Sequence, residues 1–200
     1  MGLREVKAAR TREQIVNVAI ELFVAQGYDQ TTMEQIADEA EVAASTLYRY
    51  FTSKDLLILD RLLVFTDLGA AFAARPPDEP VEESLTVVLR DSLESIVDDP
   101  RMAALRQIID GAPALRARIL DVATESCAGL ARAIGERMAL PPDDLRATMA
   151  ARIALQVYEI VAERWWSGDH AASRTDILDD VLATLAKHDL VFPAPLDRTP

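Results

Sequence analysis

The stretch AEVAASTLYRYFTSK, residues 40–54, carries most of the local evidence for the fold of this chain. Tyr48, Tyr50 and Phe51 fall within four positions here, although aromatic residues make up only 6% of the sequence. Small and hydroxyl-bearing residues surround the three rings, together with two isolated positive charges. Such a cluster on a helix is typical of a surface that contacts a partner.

Helical periodicity divides this stretch into an inward and an outward side. When Leu47 points inward on a helix of about 100° per residue, Phe51 and Ala43 point inward too. The opposite side then carries hydroxyls, tyrosine rings and a guanidinium, which suit contacts to the phosphates and base edges of DNA. The outward and flanking residues are Ser45, Thr46, Tyr48, Arg49 and Tyr50. Tyrosines that only pack within a helical protein are the alternative interpretation.

The residues before this stretch predict two more helices. Apolar residues recur at helical spacing from Ile15 onward, after a capping-box start at Thr11 with Gln14. A second helix begins at Thr31 or Thr32, and a tight turn then leads to the third. Two short helices joined by a tight turn and packed on a first helix form a helix-turn-helix.

The rest of the chain predicts helix after helix, and no segment alternates as a strand does. Prolines and glycines mark the ends of these segments. Further helices are predicted at 53–74, 81–98, 101–110, 113–138, 142–167 and 174–188. The fold class is therefore all-α, with about nine helices. Residues 192–200 contain three prolines and are expected to form a loose tail.

With these elements placed, TREQIVNVAIELFVAQGYDQTTMEQIADEAEVAASTLYRYFTSKDLL, residues 11–57, resembles the DNA-binding domain of the TetR family of transcriptional regulators. The landmarks are Gly27-Tyr28, Thr31-Thr32, Ile36-Ala37, Val42, Thr46-Leu47-Tyr48, Tyr50-Phe51 and Ser53-Lys54. The resemblance implies that the third helix enters the major groove of DNA. Residues implied to hold phosphates are Thr32, Tyr48, Tyr50 and Lys54. Residues implied to face bases are Ala44, Ser45 and Thr46.

Two positions depart from the family pattern. Glu41 stands where the turn of the family usually has glycine, which predicts a positive backbone φ at a cost of about 1 kcal/mol. Ala43 stands where Ser or Thr commonly caps the third helix, and the loss of such a cap costs about 1 kcal/mol.

The net charge of -12 argues against a nonspecific nucleic-acid binder, but the charge is unevenly distributed. Residues 1–56 contain six Lys and Arg, and four of these fall in the first twelve positions beside a single acid, Glu5. This basic arm, with Arg10 and Arg12, is predicted to contact DNA in the minor groove or along the backbone. A solvated, disordered arm is the alternative.

Beyond residue 57 the resemblance is one of architecture only, and it implies a helical domain that binds a ligand and dimerises. The predicted organisation is a basic arm and helix-turn-helix domain at 1–56, a ligand-binding and dimerisation domain at 57–191, and a tail at 192–200.

Residues 149–162, MAARIALQVYEIVA, are apolar on nearly every side of a helix and therefore need cover all round. One side can face the core of the chain while the other faces a second subunit of a homodimer. A central helix in a monomeric bundle is the alternative. The candidate dimer residues are Met149, Ile153, Val157, Ile160, Ile177, Val181 and Leu185.

An effector pocket is expected between the helices that follow Ser53, with mainly apolar walls. Adjacent Trp165 and Trp166 diverge by about 100° on a helix, so one of them can face such a pocket. The candidate lining residues are Phe65, Phe72, Met102, Ile109, Ile119, Cys127, Tyr158 and Trp165. Ordinary core packing is the alternative for each of them.

Other function classes lack their residues in this sequence. A single cysteine, Cys127, forbids an intramolecular disulfide framework and fits a reducing cytoplasm. His170 and His188 are far apart, and no catalytic or phosphate-loop motif is present, so we expect no enzyme activity, metal or cofactor. No apolar run approaches the roughly 20 residues that span a bilayer, so no membrane partner is expected.

The predicted function is that of a cytoplasmic, ligand-responsive transcriptional regulator. It would repress from a palindromic operator as a homodimer and be released by a small apolar or amphipathic effector. The alternative is a helical small-molecule- or partner-binding protein with weak or lost DNA binding, which the acidity and the two departures at Glu41 and Ala43 motivate.

Overall fold

The protein, as a computed structural model, is described over residues 2–62, 67–96, 101–167 and 172–187. These parts contain ten α-helices and no strands, which confirms the all-α prediction. The helices are α1 (Leu3–Gln26), α2 (Met33–Glu39), α3 (Ala44–Tyr50), α4 (Lys54–Leu62), α5 (Leu68–Ala73), α6 (Val81–Glu94), α7 (Met102–Gly111), α8 (Pro113–Arg137), α9 (Leu145–Ser167) and α10 (Arg174–Ala186).

Helix α1 starts nine residues earlier than the sequence pattern predicted, with its N-cap at Gly2, so the predicted capping-box start at Thr11 is wrong. Thr11 lies inside the helix, where its hydroxyl donates to the carbonyl of Lys7 at 3.0 Å. The helix is instead capped at Gly2, whose N–H donates to the Glu5 carboxylate at 2.7 Å. Because extending an existing helix is far easier than nucleating one, the basic segment becomes its first turns. The basic arm is therefore helical.

The segment predicted as one helix at 53–74 is described as α4 and α5 on either side of residues 63–66. This division accounts for ten described helices where about nine were expected. Helix α9 begins at Leu145, after Asp143 adopts a positive φ of 60°. The expected loose tail at 192–200 and both histidines, His170 and His188, lie outside the described residues.

A first hydrophobic core holds the helix-turn-helix together and extends beyond it. Ile15, Phe23, Leu47 and Phe51 are fully or almost fully buried between α1, α2 and α3. The same core takes in apolar residues of α4, α7 and the start of α8, namely Leu57, Ile58, Leu105, Ala112 and Leu115. The boundary predicted at residue 56 divides the sequence, whereas packing continues across it.

Helices α5, α6, α8, α9 and α10 enclose a second core. Helix α5 crosses α8 so closely that a Cβ atom on Gly69 would lie 2.7 Å from the carbonyl carbon of Gly129. Real Cβ atoms do not approach backbone this closely, so the crossing requires glycine at position 69. The second core is thus built around a backbone-to-backbone contact.

Two arginines donate to backbone carbonyls at the ends of α5 and α6, around the second core. The last carbonyls of a helix have no partner within it and attract cationic donors. Arg137 of α8 donates to the carbonyl of Phe72 at 2.6 Å, where α5 ends. Arg174 of α10 donates to Leu93 at 2.9 Å and to Ile96 at 2.6 Å, where α6 ends. These bonds fix α5 and α6 against the helices that follow.

Candidate nucleic-acid interface

Side-chain hydrogen bonds fix both the start of α2 and the turn between α2 and α3. The Thr32 hydroxyl accepts from the N–H of Gln35 at 3.2 Å, and the Gln35 side chain accepts from the N–H of Thr32 at 2.9 Å. The second of the two predicted capping starts is therefore the real one. Gln14 of α1 donates to the Ala40 carbonyl at 2.9 Å, which fastens the turn to α1.

Both departures from the family pattern have structural consequences at this turn. Glu41 has a φ of 54°, so the predicted positive φ is confirmed. A side chain in this left-handed region costs roughly 1–2 kcal/mol relative to the right-handed helix. Ala43 is the N-cap of α3 and supplies no side-chain bond, so the expected lack of a cap is also confirmed.

The predicted rotation of α3 is confirmed for its central residues and wrong for Ala43. Leu47 and Phe51 are buried in the first core. Ala43 is exposed, because it precedes the first helical residue and does not follow the helical rotation. The remaining residues divide into exposed Ala44, Ser45, Tyr48 and Arg49 and half-buried Thr46 and Tyr50. We call these six residues the α3 face.

Neighbouring side chains hold the aromatic part of the α3 face. The Tyr48 hydroxyl donates to the Glu34 carboxylate of α2 at 3.1 Å, and this bond raises the pKa of the Tyr48 phenol. The Arg49 guanidinium lies over the Tyr50 ring, 5.5 Å from its centroid. Tyr50 itself packs against the first core. The Tyr48 ring is therefore exposed to solvent, whereas Tyr50 also helps to pack α3 against the first core.

Lys54 is placed as a brace as well as a surface cation. Its ammonium donates to the carbonyls of Tyr28 and Thr31, each at 2.8 Å, and lies 4.5 Å from the Tyr28 ring centroid. Tyr28 in turn donates to the carboxylate of Asp55. Burial raises the pKa of Tyr28, and the bond to Asp55 raises it further. An ammonium has three donors, so Lys54 retains one for another acceptor.

The two predicted contact residues of the basic segment differ in their surroundings. Arg10 is exposed on α1. Arg12 pairs with Asp60 of α4 and lies over the Phe51 ring, 4.7 Å from its centroid. The sequence pattern did not predict the roles of Asp55 and Asp60, because they lie 27 and 48 residues from their partners Tyr28 and Arg12. Only their place in the first turns of α4, opposite α1, could have suggested them.

Of the predicted effector residues, few share one site. Phe65 lies outside the described residues, and Met102 opens α7. Phe72 and Tyr158 are buried in the second core, and burial raises the pKa of the Tyr158 phenol. The others are distributed over both cores. Ile109 and Ile119 pack on the first core, Cys127 packs on the second, and Trp165 lies beneath the Arg174 guanidinium.

A cavity of about 790 Å³ opens at the surface between α8 and α9, beside the second core. Of the predicted effector residues that the structure describes, Cys127 is the one that lines it. The cavity has an apolar floor and a charged rim. Its lining includes Leu120, Ala131, Arg132, Leu155, Arg152 and Glu159.

The predicted dimer residues separate into buried and outward positions. Val157 and Val181 are buried in the second core, so they are not part of an outward surface. They face inward because the helices that carry them use that side to pack within the chain.

Met149 and Ile153 of α9 are 51% and 45% exposed, and Leu145 on the same helix is 69% exposed. Ile160, Ile177 and Leu185 are half-buried at the edge of the core. We call Leu145, Met149 and Ile153 the α9 face.

Over the parts of the chain that are described, no group of three or more His, Cys, Asp or Glu residues could hold a metal ion. None of the helices in these parts is both long enough and apolar enough to cross a membrane.

A two-helix unit with a polar outward face, seated on a third helix, defines the class of helix-turn-helix regulators. Residues 15–60 match the family of bacterial regulatory proteins of the tetR family, and residues 79–189 match the MftR C-terminal domain. The HTH-type transcriptional regulator TcmR of Streptomyces glaucescens is 32% identical over 174 residues, which cover 82% of this chain and 77% of that protein. The chain therefore belongs to the TetR family of transcriptional regulators, and it is not an enzyme.

Solved structures of lower identity share the fold. One is the regulator FadR of Bacillus subtilis in complex with stearoyl-CoA, with a TM-score of 0.57 and 19% identity over 86% of this chain and 96% of that one. Another is NalD of Pseudomonas aeruginosa, the secondary repressor of the MexAB-OprM multidrug efflux pump. Its TM-score is 0.60, with 17% identity over 92% of this chain and all of that one (100%).

Proposed function

We propose that this regulator is a repressor that binds a palindromic operator as a homodimer and leaves it when a small amphipathic molecule binds. The observation that carries the proposal is the α3 face, which holds Ser45, Tyr48 and Arg49 outward over a filled core. Hydroxyls near the start of the helix suit base edges, while the tyrosine and arginine suit phosphates. The repressor role is supported by the fold shared with NalD.

A dimer supplies the second recognition helix that a palindrome requires. Two α3 helices must enter successive major grooves, about 34–36 Å apart. The α9 face offers three large apolar side chains on consecutive turns of one helix, Leu145, Met149 and Ile153. Apolar side chains at this spacing on an exposed helix are typical of a contact with a second helix. We therefore propose that the α9 faces of the two subunits meet at the two-fold axis. The half-buried residues of α10 would then lie at the margin of this interface.

An amphipathic effector fits the second domain better than a polar one. Phe72, Cys127 and Tyr158 belong to one apolar core, and Tyr158 adds a hydroxyl within it. The FadR structure with stearoyl-CoA shows that a related fold accommodates an acyl chain. An effector that separates α5 from α8 would bind best to a conformation in which the two α3 helices of the dimer have a different spacing. Because this conformation fits the operator less well, binding of the effector lowers the affinity for DNA by linkage.

The DNA-binding half of this proposal is tested by in vitro selection and footprinting. From a randomised pool, the purified chain should select a duplex with two symmetric half-sites whose centres are one helical turn apart. Tyr48→Ala should weaken binding to that duplex by at least about tenfold, because one phosphate contact is lost from each subunit. Val24→Ala, at an exposed position of α1, is the matched control. Selection of no duplex would instead favour a helical protein that has lost DNA binding.

The effector half is tested separately on the selected duplex. Stearoyl-CoA should displace the chain from DNA and change the fluorescence of Trp165 and Trp166, the two tryptophans of the sequence. Free stearate and coenzyme A alone distinguish recognition of the acyl chain from recognition of the nucleotide. If none of the three changes either signal, the effector does not belong to the acyl class.

A further inference from the structure

In the free protein, one hydrogen bond of the α3 face uses a group that the proposed DNA contact also needs. The Tyr48 hydroxyl donates to Oε1 of Glu34, 3.1 Å away, and so links α3 to the first turn of α2. Both side chains are exposed, Tyr48 to 43%. The pair therefore lies on the surface that the proposed DNA complex covers.

A tyrosine hydroxyl has one proton and can donate it to one acceptor at a time. In the free protein that acceptor is the Glu34 carboxylate. Contact with a phosphate oxygen requires the same proton, so binding replaces one anionic acceptor with another. If the two side chains keep their positions, Oε1 of Glu34 and the phosphate oxygen each lie about 3 Å from the Tyr48 hydroxyl oxygen and so within about 6 Å of each other.

Two like charges at this separation repel each other, and the repulsion depends on salt. The Debye length is about 10 Å at 0.1 M ionic strength, so the repulsion is felt at low salt and fades at high salt. Glu34 makes no ion pair with any described residue that would neutralise its charge. No described basic side chain therefore stands between this carboxylate and the DNA backbone in the proposed complex.

We propose that Glu34 limits the affinity of the chain for DNA, by competing with phosphate for the Tyr48 hydroxyl and by repelling the backbone. The inference rests on the proposed DNA-binding function and adds a residue to it. Because phosphates are the same at every site, Glu34 weakens binding to all sequences alike. Stable binding then depends on the base contacts made by residues such as Ser45 and Thr46.

The test is Glu34→Gln, which keeps a carbonyl acceptor for Tyr48, removes the charge and replaces the other carboxylate oxygen with an amide NH2. Dissociation constants are measured on the duplex selected by the wild-type chain and on a scrambled duplex of equal length and composition, over a salt series. We expect Glu34→Gln to bind both duplexes about 3- to 10-fold more tightly at low salt, with the gain shrinking as salt rises. Glu125→Gln, at an exposed position of α8, makes the same change in net charge far from α3 and should change neither constant.

A second variant separates competition from general repulsion. Tyr48→Phe removes the disputed hydroxyl, so adding Glu34→Gln to it should give a smaller gain than in the wild-type background. An equal gain in both backgrounds would overturn the competition. Circular dichroism of each variant checks that the helices are retained.

Three results would overturn the inference itself. Unchanged affinity for both duplexes would mean that the carboxylate does not oppose DNA, and an equal gain from Glu125→Gln would assign the effect to net charge. Weaker binding of Glu34→Gln to the selected duplex alone would mean that Glu34 reads a base, as a carboxylate can read cytosine. If the wild-type chain selects no duplex, the DNA-binding function fails first, and this inference fails with it.

Discussion

Helices α3 and α9 solve the same packing problem and present opposite surfaces. Each buries one side, through Leu47 in α3 and through Val157 in α9. The outward side of α3 carries hydroxyls and a guanidinium, whereas the outward side of α9 carries Met149 and Ile153. A polar face can stay solvated until DNA arrives, but an apolar face of this kind gains free energy only when another protein covers it. This difference in outward surface supports the proposal that α3 contacts DNA and that α9 contacts a second subunit.

The largest effect is expected beneath the α3 face. Leu47→Ala removes a fully buried side chain from the first core and should lower the free energy of unfolding by about 2–5 kcal/mol. Chemical denaturation at fixed protomer concentration measures this, because the stability of a dimer depends on concentration. Val24→Ala, at an exposed site, should change it by less than about 0.5 kcal/mol. Equal losses would mean that α3 is not seated on a packed core.

The α9 face is tested by placing a charge in it. Ile153→Asp should raise the dissociation constant of the dimer at least about 100-fold, because an unpaired carboxylate would be buried between subunits. Sedimentation equilibrium gives this constant directly. Val24→Asp introduces the same charge at an exposed apolar site of α1 and should leave the dimer intact. A dimer that survives Ile153→Asp would place the interface elsewhere and break the comparison.

The close crossing of α5 and α8 lies in the second core, behind α9. Gly69→Ala puts a Cβ 2.7 Å from the Gly129 backbone and should cost about 1–3 kcal/mol in the free energy of unfolding. A Cβ on Gly111, at the end of α7, would meet nothing within 4 Å, so Gly111→Ala should stabilise by about 0.5 kcal/mol. Thermal unfolding of the two variants should move in opposite directions. Identical shifts would contradict the close crossing.

The turn before α3 stores strain that glycine would relieve. Glu41→Gly should stabilise the chain by up to about 1 kcal/mol, because glycine adopts a φ of 54° without steric cost. Glu41→Ala removes the same charge and keeps the strain, so it separates the two contributions. Urea denaturation of both variants measures the difference. If alanine stabilises as much as glycine, the gain comes from the charge.

The smallest effect is expected at the N-cap of α3. Ala43 has the extended backbone of an N-cap, with φ -62° and ψ 141°, but makes no side-chain bond. Ala43→Ser should supply that bond and stabilise by about 0.5–1 kcal/mol. Ala44→Ser, one position inside the helix, is the matched control and should give no gain. A gain at position 44 but not at 43 would shift the start of the helix.

Short-range pattern was enough to predict much of the α3 region. Leu47 and Phe51 repeat at helical spacing, so their burial and the exposure of Ser45 and Arg49 follow from the rotation of one helix. The positive φ of Glu41 was expected from the family resemblance instead, because glycine usually stands at this position of the turn. The prediction was wrong at Thr11 and Ala43, where it depended on the residue at which a helix begins. Such starts are set by competing caps, and pattern alone does not rank them.

By itself, then, the sequence determined that the fold class is all-α and which side of α3 faces outward. Both depend on residues within one or two helical turns of each other. Only the tertiary structure decided that Arg12 pairs with Asp60 and that Lys54 binds the loop at Tyr28. It also decided that Val157 and Val181 are internal while Met149 and Ile153 remain outside. When a helix is apolar on nearly every side, its sequence does not predict which side packs against the rest of its own chain. That choice depends on the neighbours that α8 and α10 bring from distant parts of the sequence.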